Sequence, residues 1–437
     1  MFNLLPNNEL FPMRSNNNSN NHLEIGGCDV VDLVNKYGTP LYIYDEFTLR
    51  NMCNQFKSAF NSRYENTKIL YASKAFINKA IAQIIRDEGL GLDVVSGGEL
   101  FVAIDAGVDV NNIYFHGNNK SSEELEFAVK SKIGRIVVDN FYELYKLNEI
   151  AENLEVSQDI LIRVSPGIDP HTHEKTTTGI LDSKFGFSIE TGDALQAIQQ
   201  SEALANLTFQ GVHFHLGSPI FELSPYEQGI KTVLNFTNSN NIELNEFSPG
   251  GGFAIGYVQN SLPPSVESYA EIITKTLKST CSDLGIRPPK LVIEPGRSII
   301  GRAGVAVYTV GAIKDIPSVR KYVSLDGGMG DNVRPAMYDA KYSAVIVNRV
   351  VDNSEELVSL AGKYCESGDI LIKDIKLPVL ETGDIIAIPA SGAYSPSMAS
   401  SYNLNPRPPM VMVLEGEARL IRRREEYQDY LMFDVSK

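Results

Sequence analysis

The sequence predicts an α/β protein with an additional β domain: a (β/α)8 TIM-like barrel followed by a mostly antiparallel β-sandwich or β-barrel. In the middle of the chain, short apolar runs alternate with segments of helical pattern, which is typical of βαβ units and a parallel sheet. Eight such runs fall within about 230 residues, which favours a closed barrel of ~250 residues over a doubly wound open sheet. Beyond Gly301, strand-like runs follow one another with turn signals between them.

The predicted elements follow the chain in order. Barrel strands are expected at residues 67–73, 91–95, 112–115, 135–138, 160–164, 210–215, 242–247 and 290–293. Helices are expected between them at residues 78–87, 98–106, 122–130, 141–150, 193–201, 225–238 and 265–284. The β domain is expected to contain strands at residues 305–310, 321–325, 344–347, 357–361, 384–388 and 410–414, joined by an N-terminal strand at residues 39–44.

This pattern divides the chain into four parts. Residues 1–25 include an asparagine tract and are predicted to be a disordered leader. Residues 26–45 are predicted to join the β domain, residues 46–300 to form the barrel, and residues 301–437 to form the rest of the β domain. The β domain is therefore expected to draw on both ends of the chain.

Composition and charge argue against several classes of protein. The 437 residues are 43% hydrophobic and 21% charged, which is ordinary for a globular protein. The net charge of -15 argues against general binding to nucleic acids or anionic membranes. No segment approaches the ~20 apolar residues that span a bilayer, and the N-terminal stretch lacks the pattern of a secretory signal. The four cysteines form no CxxC pair, so no disulfide framework or zinc ribbon is expected, and a cytoplasmic location fits.

Lys74 follows the first predicted barrel strand, and barrels of this kind carry their active sites at the carboxyl ends of the strands. An amine held near apolar walls is disfavoured in its charged form, so its pKa falls and it can attack a carbonyl group. The alternative is a solvent-exposed lysine that only ends a strand. The other strand ends help to decide, since they carry polar residues or glycines at positions 93–99, 116–118, 163, 213–218, 250–253 and 294–297.

A phosphate site is expected after strands seven and eight, where barrels often bind phosphate. The three glycines at residues 250–252 allow backbone amides to face a bound group without side-chain clashes. Gly296 and Arg297 follow strand eight. Either feature alone is also typical of a tight turn, and the two together favour a phosphate site.

His213 and His215 alternate along a predicted strand and are therefore expected to face the same side. They are interpreted as packed side chains, as a metal pair, or as a ring that stacks on a flat cofactor. A metal site needs further ligands at other strand ends, and only His116 is well placed, since His171 and His173 fall on a loop. A lysine, a glutamate, a histidine face and a phosphate site together describe pyridoxal phosphate, so no metal is predicted.

Four barrel segments resemble the fold-type III pyridoxal-phosphate-dependent decarboxylases: YASKA at 71–75, HFHLGS at 213–218, GGGF at 250–253 and EPGR at 294–297. DGGM at 326–329, RPAMY at 334–338, CESGD at 365–369 and GAY at 392–394 resemble the diaminopimelate decarboxylases within this family. The resemblance implies pyridoxal 5'-phosphate as the cofactor and a homodimer with active sites at the interface. One departure is Ser248-Pro249, where many relatives carry an acidic residue.

The resemblance also implies roles for individual residues. Lys74 is expected to carry the cofactor on its amine, Glu294 to keep the pyridine nitrogen protonated, and His215 to stack on the ring. Cys365, from the other subunit, is expected to return a proton to the substrate carbon. The expected cofactor contacts are Lys74, His215, Ser218, Gly251, Gly252, Glu294, Pro295, Gly296, Arg297 and Tyr394.

The charges expected around the substrate favour diaminopimelate, which carries an amine and a carboxylate at both ends. Arg297 and Arg334 offer planar forks for the distal carboxylate, Glu366 offers a partner for the distal ammonium, and Tyr338 and Tyr394 offer further contacts. The resemblance thus implies decarboxylation of meso-2,6-diaminopimelate to L-lysine and CO2, the last step of lysine biosynthesis. The alternatives are a decarboxylase of arginine, ornithine or carboxynorspermidine, an inactive relative that binds a partner protein, and a metal-dependent hydrolase built on the histidine pair.

Overall fold

The computed structural model describes residues 5–169, 177–179, 182–350 and 354–435, and it divides into two compact units. The barrel unit comprises Met52–Ala254 and Pro263–Ser298, and the β unit comprises Met1–Asn51, Ile255–Leu262 and Ile299–Lys437. The predicted borders at residues 46 and 300 lie close to these divisions, whereas the segment 255–262 had been assigned to the barrel. The predicted loop histidines His171 and His173 lie outside the described residues.

The described strands, in chain order, are β1 (Ser15–Asn17), β2 (Leu23–Ile25), β3 (Cys28–Asp29), β4 (Leu41–Asp45), β5 (Thr67–Ala72), β6 (Gly91–Val94), β7 (Ile113–Phe115), β8 (Arg135–Val138), β9 (Gln158–Ser165), β10 (Phe187–Ser188), β11 (Leu207–His213), β12 (Glu246–Gly250), β13 (Lys290–Ile293), β14 (Gly304–Ile316), β15 (Arg320–Leu325), β16 (Val345–Ile346), β17 (Glu356–Ala361), β18 (Ile370–Leu377), β19 (Ile385–Ile388), β20 (Met410–Leu414) and β21 (Glu417–Arg422). The described α-helices are α1 (Val30–Tyr37), α2 (Glu46–Asn61), α3 (Lys79–Asp87), α4 (Gly97–Asp105), α5 (Ser122–Lys130), α6 (Phe141–Asn153), α7 (Asp193–Ala203), α8 (Ser224–Ser239), α9 (Val266–Leu284), α10 (Arg297–Ile300) and α11 (Arg334–Tyr338).

Eight parallel strands close into a barrel in the barrel unit. The hydrogen-bonded order is β9-β11-β12-β13-β5-β6-β7-β8, and β8 pairs with β9 to complete the ring. Side chains from five of these strands fill part of the interior as one buried cluster: Leu70, Tyr114, Val137, Leu161 and Val292. The strands read as continuous apolar runs because helices cover them outside and neighbouring side chains fill the inside. The predicted (β/α)8 barrel is confirmed.

Polar residues at the strand ends begin the helices that follow. Asn78, Ser96 and Asn140 each accept a hydrogen bond from a backbone N–H in the first turn of α3, α4 and α6. Ser121 and Glu124 form a reciprocal capping box at the start of α5. Each such cap contributes about 1 kcal/mol and fixes where the helix begins. The strand-to-helix connections that carry the candidate site residues are therefore held close to the barrel.

The β unit is built on a mixed, mostly antiparallel sheet, so the predicted second domain is confirmed. Its strand order is β18-β17-β15-β14-β4-β20-β21, with β19 on β14 and β16 on β19. The predicted N-terminal strand is β4, which lies between β14 and β20. Strands β18 and β21 and helix α11 were not predicted.

The prediction of a disordered leader at residues 1–25 is wrong for the described residues 5–25. β1 pairs with β2, and β2 pairs with β3, in a three-stranded antiparallel sheet. Phe11, Leu23 and Ile25 are buried in the core of the β unit. The asparagine tract makes the turn, since the Asn18 side chain accepts the backbone N–H groups of Asn20 and His22.

No helix in the described part of the chain is long and apolar enough to cross a membrane.

Candidate active site

Lys74 lies in a single 3-10 turn, Ser73–Ala75, directly after β5. Its side chain is exposed, whereas both residues that flank it are buried. The ring hydroxyl of Tyr71 donates a hydrogen bond to the carbonyl oxygen of Phe76 at 2.7 Å, which ties the strand to the segment after the turn. The structure therefore presents one accessible amine at the carboxyl end of a buried strand.

Glu294 follows β13 and is only 5% exposed. The Nε2 atom of His213 donates to its Oε2 at 3.1 Å, and the Ser248 hydroxyl donates to its Oε1 at 2.9 Å. Burial opposes ionisation, but the adjacent rings of His213 and His116 and these two hydrogen bonds hold the pKa of Glu294 well below its usual value. Glu294 is therefore a carboxylate, and among the described residues its only ion-pair contacts are with histidines.

His116 and Asp93 line the same interior. The His116 Nε2 atom lies 3.6 Å from Glu294 Oε1 and 3.8 Å from Asp93 Oδ1. Its ring meets that of His213 edge to face, with centroids 4.8 Å apart. Burial lowers the pKa of both histidines, and burial raises the pKa of Asp93 to about 8 although the nearby Lys74 ammonium opposes it.

Three buried atoms here, His116 Nε2, His213 Nδ1 and Asp93 Oδ1, have no hydrogen-bond partner. Buried polar groups are normally paired, so this interior suits a polar or ionic group held between the strand ends. A carboxylate on one side and an accessible amine at β5 match the pyridine nitrogen and the carbonyl group of pyridoxal phosphate. The residues present therefore fit that cofactor.

A metal ion is the alternative occupant, because one ligand atom each of His116, His213 and Glu294 lies within 4.8 Å of the others. His215 is not part of this group, since its Nδ1 accepts the backbone N–H of Gly251 at 3.2 Å. The two histidines of the predicted pair therefore have different hydrogen-bond partners. The direct hydrogen bond between His213 and Glu294 also argues against a metal ion. It places a proton on the Nε2 atom of His213, and a protonated ring nitrogen cannot bind a metal.

The glycine segment after β12 needs its glycines. Gly250 and Gly252 adopt φ values of 76° and 103°, which side chains rarely tolerate. A Cβ atom on Gly251 would lie 2.2 Å from the carbonyl oxygen of Glu294. The Tyr226 hydroxyl donates to the Gly251 carbonyl at 2.8 Å and fixes the segment. These constraints leave a rigid backbone segment of the kind that binds phosphate.

The residues after β13 complete this corner of the barrel unit. Arg297 is 6% exposed, and its Nε and Nη2 atoms donate to the Ser218 hydroxyl at 3.4 and 3.3 Å. The Pro295 carbonyl accepts the backbone N–H of Ala72, and a Cβ atom on Gly296 would lie 2.9 Å from the Ala72 Cβ. Of these predicted cofactor contacts, Pro295 and Gly296 thus lie against the strand that precedes Lys74, and Arg297 contacts Ser218.

A second group of predicted residues lies in the β unit. Arg334 begins α11, is 6% exposed, and donates to the Tyr342 hydroxyl. Its guanidinium also lies 4.8 Å from the ring centroid of Tyr257. No carboxylate among the described residues forms an ion pair with it. A buried cation held by two aromatic side chains is therefore left available to an anionic group.

Tyr338, Cys365, Glu366 and Tyr394 also belong to the β unit. Tyr338 and Tyr394 are half-buried, whereas Cys365 and Glu366 are exposed. Tyr394 has a φ of 63°, and an aromatic residue in this left-handed region stores backbone strain of a kind that clusters at ligand sites. The structure thus gathers the predicted residues into two groups, one in each unit.

Sequence reasoning gave no site role to Asp93, Ser248, Tyr257 and Tyr342. Asp93 lies at the end of the second barrel strand, so its position alone was a usable signal. Ser248 had been noted only as a departure from the family pattern, yet its hydroxyl contacts Glu294. The two tyrosines are 85 residues apart and carried no signal, because they meet only through the fold.

Comparison with known families agrees with this geometry. The family model described as "Pyridoxal-dependent decarboxylase, pyridoxal binding domain" matches residues 48–301. The chain belongs to the pyridoxal-dependent decarboxylases, and its cofactor is pyridoxal 5'-phosphate.

The relatives narrow the class further. A diaminopimelate decarboxylase of Bacillus subtilis is 46% identical over 425 residues, covering 96% of this chain and 97% of the relative. One of Halalkalibacterium halodurans is 44% identical over 422 residues, covering 96% of each. A crystal structure of diaminopimelate decarboxylase from M. jannaschii in complex with L-lysine matches with a TM-score of 0.91 at 36% identity, covering 97% of this chain and 98% of that chain. Within its class, the chain belongs to the diaminopimelate decarboxylase family.

Proposed function

We propose that this chain decarboxylates meso-2,6-diaminopimelate to L-lysine and CO2, the last step of lysine biosynthesis. The observation that carries the substrate assignment is the buried Arg334 guanidinium, which has no ion-paired carboxylate among the described residues. A distal carboxylate is the group that diaminopimelate has and that ornithine, with only an amine at its far end, lacks. Leaving such a buried cation unpaired is costly, so the site discriminates against substrates without that carboxylate.

The barrel unit supplies the cofactor residues in this proposal. Pyridoxal 5'-phosphate, when bound, supplies an electron sink for the bond that breaks at the substrate α-carbon. Lys74 would hold it through its amine, Glu294 would pair with the pyridine nitrogen, and His215 would lie against the ring. The phosphate contacts are assigned to Ser218, Gly251, Gly252, Gly296, Arg297 and Tyr394.

Glu294 controls one proton in this scheme. Because its pKa is held low, it stays negative over the physiological pH range and favours a proton on the pyridine nitrogen opposite it. His213, neutral because burial lowers its pKa, orients the carboxylate through its Nε2–H. Hydrogen bonds from His213 and Ser248 therefore stabilise the charge of this carboxylate.

The substrate contacts are assigned mainly to the β unit. Arg334 and Arg297 bind carboxylate oxygens as planar forks. Glu366 accepts from the distal ammonium, and Tyr338 and Tyr394 donate further hydrogen bonds. Cys365 donates its thiol proton to the α-carbon after CO2 has left.

We further propose a homodimer in which Cys365 serves the active site of the other subunit. Lys74 and Cys365 belong to different units of the chain, and the Cys365 side chain is exposed within its own unit. Mixing Lys74→Ala and Cys365→Ala proteins then restores activity of about one quarter of the parent, since half of randomly formed dimers contain one intact site. No recovery of activity on subunit exchange would contradict shared active sites.

Four free cysteines, three of them buried, support a reducing, cytoplasmic setting.

The function is tested by measuring CO2 and lysine release from diaminopimelate, arginine, ornithine and carboxynorspermidine. We expect diaminopimelate alone to turn over efficiently, and a visible absorption band of lysine-bound cofactor that borohydride removes. Lys74→Ala should lose both band and turnover, whereas Lys79→Ala, an exposed lysine paired with Asp105, should keep them. Turnover that requires an added divalent metal and shows no visible band would support the metal-dependent alternative at His116, His213 and Glu294.

A further inference from the structure

Cys365 is exposed, yet its backbone is held on both sides. Its N–H donates to the side-chain oxygen of Asn403 at 2.9 Å, and its carbonyl accepts from the Tyr402 hydroxyl at 3.2 Å. The ring of Tyr402 also stacks on that of Tyr364, with centroids 6.1 Å apart. Exposed loop residues are normally among the most mobile in a protein. This one has a fixed backbone and a free thiol.

Asp369 joins the turn that carries Cys365 to a second turn. Its Oδ2 accepts the N–H of Tyr364 at 2.9 Å, and its Oδ1 accepts the N–H of Met329 at 2.6 Å. Its own backbone N–H donates to the Glu366 carbonyl at 3.1 Å, and its carbonyl accepts the N–H of Gly362 at 2.9 Å. Asp369 therefore contacts the chain on both sides of Cys365 and across to residue 329.

The second turn leads directly to Arg334. The N–H of Gly328 donates to Asp331, and the side chain of Asn332 accepts the N–H of Arg334. Asp369, Asp331 and Asn332, through hydrogen bonds that their side chains accept from backbone N–H groups, thus connect the segment carrying the thiol with the segment carrying Arg334.

Asp369 is placed as a carboxylate that only backbone groups satisfy. It is 3% exposed, and no lysine or arginine of the described chain forms an ion pair with it. Two glycines make room for it, since a Cβ atom on Gly362 or Gly328 would lie 2.1 or 2.6 Å from its oxygens. A buried carboxylate without a cation is costly to fold, and here the backbone N–H groups of Tyr364 and Met329 that it holds in place offset that cost.

We propose that Asp369 is a positioning residue for Cys365: its two carboxylate oxygens hold the backbone on which the thiol is presented. The inference rests on the proposed role of Cys365 as a proton donor. An asparagine in its place supplies only one accepting oxygen, so one of the two buried N–H groups is left facing an NH2 group.

The test compares Asp369→Asn with the parent in the cofactor-loaded enzyme. We expect kcat for diaminopimelate to fall about tenfold, the size of effect that follows when one buried N–H loses its acceptor, with KM and cofactor content nearly unchanged. In a Cys365→Ala background the same substitution should change kcat by less than about twofold, because the residue acts through the thiol. An equal loss in both backgrounds would overturn the proposal.

A second readout does not depend on turnover. Alkylation of Cys365 by N-ethylmaleimide, located by mass spectrometry, should become about threefold faster or more in Asp369→Asn as the backbone loosens. Gly362→Ala, whose methyl group would displace the same carboxylate, should act in the same direction. Asp374→Asn is the matched control, because it makes the same change at an exposed position of β18 and should leave both readouts unchanged.

The outcomes separate the two proposals. If Cys365→Ala keeps the parent kcat, the proton-donor role is refuted, and the alkylation rate alone decides whether Asp369 holds the loop. If Asp369→Asn and Gly362→Ala leave the alkylation rate at the parent value, the positioning role is refuted whatever Cys365 does.

Discussion

Replacing Glu294 by glutamine isolates the charge at the centre of the barrel unit. A glutamine keeps the shape of the side chain: its oxygen can accept from His213 Nε2, now 3.1 Å away, and its amide can donate to the Ser248 hydroxyl. What it loses is the negative charge opposite the pyridine nitrogen. A hydrogen bond to a charged group contributes about 1.5–3 kcal/mol and a neutral one about 1 kcal/mol. The loss of about 1–2 kcal/mol corresponds to about 5- to 30-fold in affinity or rate.

We therefore expect Glu294→Gln to lower both cofactor affinity and kcat by factors in that range. Apoenzyme titration with pyridoxal 5'-phosphate measures the first, and CO2 release from diaminopimelate measures the second. The loss of kcat should grow with rising pH, because without the carboxylate the ring nitrogen releases its proton at lower pH. Ser248→Ala keeps the charge and removes only one hydrogen bond to the carboxylate, so its effect should be smaller. A Glu294→Gln enzyme that keeps the parental kcat and the parental cofactor affinity as the pH is raised would refute the reasoning.

Three further substitutions test other parts of the structure. Arg334→Ala should raise KM for diaminopimelate by about tenfold to a hundredfold, because a charge-assisted contact with the substrate is lost. Arg320→Ala, which removes a cation from an exposed ion pair, should leave KM unchanged. Equal KM values in the two variants would show that Arg334 does not bind the substrate carboxylate. Gly251→Ala should weaken cofactor binding in the same titration, because its methyl group would lie 2.2 Å from the Glu294 carbonyl oxygen. Gly98→Ala is the control, since its methyl group would make only an ordinary contact at 3.7 Å. Equal cofactor affinities in the two variants would contradict a rigid glycine segment. Burial raises the pKa of Asp331 to about 7 from an ordinary 3.8, so the folded state binds more protons between these values and the free energy of unfolding falls as pH rises from about 4 to about 7. Asp331→Asn should flatten that dependence by a few kcal/mol in urea titrations at pH 5 and pH 8, and an unchanged slope would exclude this residue as its source.

The barrel could be predicted because its strands are short, apolar and separated by helical patterns. Each of the eight predicted runs overlaps an observed strand, and the lysine after β5 follows from that alignment. The sequence did not predict which side chains meet at the carboxyl ends of the strands. Glu294, His116 and Asp93 follow or end three different strands, and only the fold brings the carboxylates of Glu294 and Asp93 each within 4 Å of His116.

The errors have physical causes as well. The leader was taken as disordered because asparagines dominate it, but a few apolar residues suffice to anchor it, as Phe11, Leu23 and Ile25 do. β18 was missed because Lys373, Asp374 and Lys376 interrupt its apolar pattern on the exposed face. Residues 255–262 were assigned to the barrel by position in the chain, although their contacts belong to the β unit.

The position of β4 between β14 and β20 constrains the order in which the β unit can fold during synthesis. The strand is complete by residue 45, yet its antiparallel partner begins at Gly304 and its parallel partner at Met410. On a ribosome, the barrel residues between them are finished long before either partner exists, and domains fold largely as units in the order they emerge. β4 must therefore wait while about 259 residues are added before its first partner begins, and while about 365 are added before its second partner covers the other edge. A release of the chain before residue 410 would leave that edge open, which makes late truncations of this protein prone to aggregate.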